Sequence, residues 1–121
     1  MNAIRLMSAL ATACGLVMLA TAAHAGTQVS GKVQTILSAA GAGGAPGNAD
    51  LRVQLDGVTT FCPGVTDGSW AFINSNDANF KGILAAITTA YAMGKTLTVY
   101  TVPGAVGAST FCQIAWVQVS G

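Results

Sequence analysis

The chain has 121 residues carrying five Lys or Arg, four Asp or Glu and one His, a formal net charge of +1. So sparse and balanced a charge excludes an electrostatic nucleic-acid binder, which needs a basic groove with interleaved aromatics. All four acidic residues are Asp, so acid–base chemistry has few groups to draw on.

Residues 1–25 carry one early charge, Arg5, then an apolar run from Leu6 to Ala22 and the small-residue site Ala23-His24-Ala25. This reads as a secretory signal peptide cleaved before Gly26. The competing reading, a retained membrane anchor, is weakened by the Ala, Ser, Thr and Gly content of the run. Cleavage removes Cys14 and the single histidine, His24, and leaves one domain, residues 26–121. Its charges are Lys32, Arg52, Lys81 and Lys95 against Asp50, Asp56, Asp67 and Asp77. The expected location is exported, periplasmic or secreted. In that oxidising compartment the remaining cysteines, Cys62 and Cys112, read as a disulfide. A metal or catalytic thiol pair has no His or Glu to support it. No cofactor or metal is implied.

From Thr27 to Ser38 the pattern alternates, with Val29, Val33 and Leu37 on one face and Ser30, Lys32, Gln34 and Ile36 on the other, which predicts a half-buried strand. Gly31 marks a bulge or the tight bend of a small barrel. Ala39 to Asn48 reads as a flexible loop. Asp50 to Asp56 forms the second strand, with Leu51, Val53 and Leu55 inward and Arg52, Gln54 and both Asp outward. Gly57 to Asp67 is turn-rich, and Asp67-Gly68 introduces a third strand over Ser69–Asn74. Asp56 and Asp67 take local turn roles rather than forming a catalytic pair.

Asp77 to Gly94 is the one helical stretch, with Phe80, Ile83, Leu84, Ile87, Ala90 and Tyr91 on a single stripe. Asp77 is the expected N-cap, Gly94 the stop, and Lys95 faces the last carbonyls. Asn74 to Asn79 offers oxygen ligands but lacks the acidic spacing of a calcium loop, and reads as capping chemistry. The opposite helix face carries Ala85, Ala86, Thr88, Thr89 and Ala92, with Lys81 its only charge. Two readings stay open: a face covered by a neighbouring subunit, or a mildly polar outer face.

Thr96 to Val102 predicts a fourth strand, Pro103 to Ser109 a loop, and Thr110 to Val119 a fifth strand. That last strand has Phe111, Ala115, Val117 and Val119 on one face and Cys112, Ile114 and Trp116 on the other, apolar on both sides. Tyr91 and Tyr100 read as core or interface residues. The fold class is therefore mainly β with one helix, a five-stranded OB-fold-like small barrel in the order β-β-β-α-β-β.

The first strand VSGKVQTILS, the cysteine before the Trp-containing strand (CPGVTDGSWAFI), the helix ending in GK before TLTVYT, and the cysteine opening the last strand (FCQIAWVQV) resemble the B subunits of subtilase-cytotoxin and pertussis-like AB5 toxins. The resemblance covers nearly all of residues 26–121. It implies a homopentamer whose helices surround a channel for the tail of a catalytic A subunit, and an outer surface that binds cell-surface glycans, often sialylated. It places the channel face on Lys81, Ala85, Thr88, Thr89 and Ala92. It places the glycan site at Ser30 and Gly31, with the Ser30 hydroxyl on the sialic acid carboxylate and Lys32 adding charge. The loop after the first strand offers no aromatic platform for a sugar.

The chain thus reads as an exported, non-catalytic binding and assembly subunit. The alternative is a stand-alone periplasmic OB-like protein with a structural or interaction role and no sugar recognition.

Overall fold

The structure, a computed structural model, describes residues 26–38, 47 and 49–121. The expected leader at 1–25 and nearly all of the loop at 39–48 lie outside the described residues. The elements run β1 (Thr27–Ser38), β2 (Leu51–Leu55), β3 (Asp67–Ile73), α1 (Phe80–Met93), β4 (Thr96–Val106) and β5 (Ser109–Ser120). The strands close into a barrel in the order β1-β2-β3-β5-β4, every pair antiparallel except β3 with β5. The expected class and element order therefore hold. Among the described residues no helix is long and apolar enough to cross a membrane.

Closure depends on β1 serving two neighbours. Residues 27–32 pair with β4 and residues 33–38 with β2. Gly31 sits at this change of partner, where a Cβ would lie 2.7 Å from the Asp56 carbonyl oxygen. The Asp56 N–H in turn donates to the Lys32 carbonyl at 2.8 Å. Gly31 is needed because backbone approaches backbone there.

The core combines Leu51, Val53 and Leu55 of β2 with Ala71 and Ile73 of β3, Leu97 and Val99 of β4, and Ile83, Ile87 and Ala90 of α1. Cys62 and Cys112 form the expected disulfide, with Cα atoms 5.7 Å apart. The buried Thr101 hydroxyl donates to the Phe61 carbonyl at 3.0 Å, so this polar group enters the core with a partner.

Several expectations are corrected, and two of them share one cause. The register slips between Val33 and Thr35 on β1, and between Ile114 and Trp116 where they face Thr101 and Tyr100. Each bulge inserts one residue and reverses which side chains point inward. Ile36 therefore packs on the core while Leu37 is exposed, and Val117 and Val119 turn inward while Trp116 turns out. β5 is accordingly covered on both sides only in its first half.

Pro103 to Ser109 is not a loop. β4 runs to Val106 and turns through Gly107 and Ala108 into β5. Among the described residues β4 pairs only with β5 beyond Thr101, so Pro103 lies in an edge segment, where proline is tolerated. β3 occupies Asp67–Ile73 rather than Ser69–Asn74.

Asp77 is not the N-cap; Asn79 occupies that position without a side-chain capping bond. Asp77 instead accepts from the Asn79 N–H at 2.8 Å, an Asx turn that leads into the helix. Gly94 does end α1, in the left-handed conformation at φ 59°, and Lys95 N–H closes the turn onto the Ala90 carbonyl. The Lys95 ammonium reaches the Gly121 carbonyl rather than the helix end. Tyr91 is 57% exposed, off the core stripe.

Asp50, expected to point outward, is buried. Its Oδ2 accepts from the N–H groups of Gly47 and Ser75 and from the Ser75 hydroxyl, at 2.7 to 2.9 Å. Beside it the Ala49 N–H donates to the Asn74 side-chain oxygen at 2.7 Å. The segment after β3 is thus tied to the start of β2.

Candidate functional site

The outer face of β1, β4 and β5 gathers polar and aromatic groups suited to binding. Leu97, Val99 and Thr101 of β4 point into the barrel, so Thr96, Thr98 and Tyr100 point out. The strand registers then set three rows across the face. Gln28, Tyr100 and Trp116 form the first, Ser30, Thr98 and Gln118 the second, and Lys32, Thr96 and Ser120 the third.

The side chains within these rows touch. Ser30 Oγ and Thr98 Oγ1 share a hydrogen bond of 2.8 Å across β1 and β4. The rings of Tyr100 and Trp116 stack, with centroids 5.4 Å apart and planes 3° from parallel. Ser30 and Lys32 are exposed, and Trp116 is 41% exposed. The hydroxyl pair, with one hydrogen left free, and an ammonium supply donors for an anionic or polyhydroxyl ligand, and the stacked rings supply an apolar surface beside them.

Of the residues expected here, Ser30 and Lys32 lie on this face as neighbours in adjacent rows. Gly31, between them, faces the barrel interior and the Asp56 carbonyl, so its role in the fold is to let β1 bend. Tyr100, expected in the core or at an interface, is half-buried on the outer surface and not in the core. Its position was recoverable from the alternation of Leu97 and Val99. Trp116 was not recoverable, because without the bulge at Ala115 it shares the inward side of Cys112 and Ile114. The aromatic platform missing from the loop after β1 is supplied by β4 and β5.

Lys81, Ala85, Thr88, Thr89 and Ala92 form a separate surface on α1, and all five are exposed. They fall within about 100° of helical arc. The Thr88 hydroxyl donates back to the Leu84 carbonyl at 2.8 Å, so its hydrogen is used within the helix.

A cleft of about 570 Å³ lies between the first half of α1 and β5, lined by Ala78, Asn79, Gly82, Ile83, Ala86, Ala115, Trp116 and Val117. Among the described residues no charged side chain lines it. Among the described residues no group of three or more His, Cys, Asp or Glu is placed to hold a metal ion.

Comparison with known proteins finds no matching family model, no matching curated protein and no matching solved structure.

Proposed function

We propose that this chain is an exported, non-catalytic binding subunit that holds an acidic cell-surface glycan on the outer face of β1, β4 and β5. One observation carries the reading: the hydrogen-bonded Ser30–Thr98 pair stands in the row next to the stacked Tyr100–Trp116 rings. A sugar carboxylate accepts from the one hydroxyl hydrogen that the Ser30–Thr98 pair leaves free and from the Lys32 ammonium, while the apolar face of a pyranose lies against the rings. Export is supported by the leader pattern of residues 1–25 and by the Cys62–Cys112 disulfide.

The assembly reading rests on the resemblance to AB5 toxin B subunits and on the exposed face of α1. In it, five copies form a ring with Lys81, Ala85, Thr88, Thr89 and Ala92 around a channel that receives the tail of a catalytic A subunit. Small side chains permit close backbone approach there.

Light scattering on the purified, oxidised protein tests the assembly, and an array of sialylated and neutral glycans tests the binding. The expected results are a mass of about five protomers and retention on sialylated probes that Ser30→Ala abolishes. A monomer sinks the ring. Failure to retain any glycan sinks the sugar reading and leaves the stand-alone OB-like protein as the better account.

A further inference from the structure

We infer that the cleft between α1 and β5 is a second, uncharged subsite of the same glycan site, taking a neutral pyranose that bears an acetamido group. This rests on the glycan reading above and specifies the ligand as an oligosaccharide rather than a single acidic sugar.

The argument begins with Trp116. Its ring stacks on Tyr100, and Trp116 also lines the cleft. A half-exposed indole is costly to leave in water, and an aromatic wall in a concave site is a common platform for an amphipathic ligand.

The cleft's opposite wall contains a glycine that the fold does not require. Gly82 has an ordinary negative-φ helical backbone, and a Cβ built on it meets nothing within 4 Å. Glycine is a poor helix residue, and here neither conformation nor packing demands it. What it does is keep the space facing Trp116 open. Ala78, Ala86 and Ala115 border the same space.

The polar groups define the occupant. Among the described residues no charged side chain lines the cleft, so a free carboxylate or ammonium meets no countercharge from them. Among the described lining residues Asn79 carries the only side-chain amide, makes no capping bond, and offers both a donor and an acceptor. An acetamido group matches this set. Its carbonyl and N–H meet the Asn79 amide, its methyl meets the alanines, and the pyranose ring lies against Trp116.

β1 and β5 are separated by β4, two strand spacings or about 10 Å. Ser30 and the cleft are therefore too far apart for one sugar ring to fill both. A ligand using both must be an oligosaccharide with its acidic unit at Ser30 and Lys32 and a neutral unit beside Trp116.

Three probes test this on the purified, oxidised protein by calorimetry and by the indole N–H resonance of Trp116: the methyl glycoside of N-acetylneuraminic acid, the neutral disaccharide N-acetyllactosamine, and the sialylated trisaccharide joining them. Gly82→Leu fills the cleft while improving helix propensity, so lost binding is not lost folding. The expected result is that Gly82→Leu and Trp116→Ala each weaken the trisaccharide by about tenfold or more. Gly82→Leu leaves the acidic monosaccharide within about twofold, whereas Trp116→Ala, which also removes part of the ring platform beside Ser30, weakens it too. N-acetyllactosamine moves the Trp116 signal in the parent protein and not in Gly82→Leu. Unchanged trisaccharide affinity in Gly82→Leu, with loss in Ser30→Ala, overturns the subsite and spares the glycan reading. Equal loss of the monosaccharide in Gly82→Leu also overturns it, by showing a single shared site. A parent protein that binds none of the three probes overturns both.

Discussion

Tyr100 and Trp116 lie ring against ring on neighbouring strands, 5.4 Å between centroids and 3° from parallel. Since both rings are on the outside of the barrel, their contact adds little to the core and keeps an aromatic surface in a set orientation. A double-mutant cycle of Tyr100→Ala and Trp116→Ala in urea is expected to return a coupling of about 1 kcal/mol. A coupling near zero would show that the rings do not hold each other in place.

The Ser30–Thr98 hydrogen bond is exposed, so its loss is expected to cost stability little, about 0.5 kcal/mol, in Ser30→Ala. Binding of an acidic sugar is expected to fall by about tenfold or more in the same variant. Chemical denaturation and a glycan titration on one preparation separate the two effects. A large stability loss with unchanged binding would assign Ser30 to the fold alone.

At Gly31 the expectation reverses. A methyl group meets the Asp56 carbonyl at 2.7 Å and the Leu55 Cβ at 3.1 Å, both within the barrel seam. Gly31→Ala is expected to lower unfolding free energy by about 1–3 kcal/mol. An unchanged urea midpoint would show that β1 relaxes around the added carbon.

Asp50 joins Gly47 and Ser75 through one carboxylate oxygen. Asp50→Ala leaves those part-buried donors without that acceptor and is expected to cost about 1–2 kcal/mol. Asp50→Asn retains an acceptor oxygen and is expected to cost less. Thermal melts of the two variants check the order, and equal losses would point to the charge rather than the hydrogen bonds.

The Cys62–Cys112 bridge joins residues 50 apart in sequence. On the loop-entropy account, replacing both cysteines with serine or alanine is expected to cost about 4 kcal/mol. That is a large share of the stability of a domain of this size. Urea unfolding of the oxidised and reduced protein measures it, and coincident midpoints would show that the barrel does not depend on the bridge.

The element order, the inward triplet Leu51, Val53 and Leu55, the helix stop at Gly94 and the cysteine pair were all legible in the amino-acid sequence. Each is set by features read directly along the chain: alternation, backbone freedom at a glycine, or the two cysteines within residues 26–121. What tertiary structure decided is which side of the barrel a residue occupies beyond a bulge, and what stands beside it. One inserted residue at Ala115 carries Trp116 from the core side to the surface, and strand pairing places it beside Tyr100 and in the row next to Ser30. Periodicity along a single strand carries no record of either event. A bulge is selected by the closure of the barrel, and a cross-strand neighbour by the register of a partner far away in the chain.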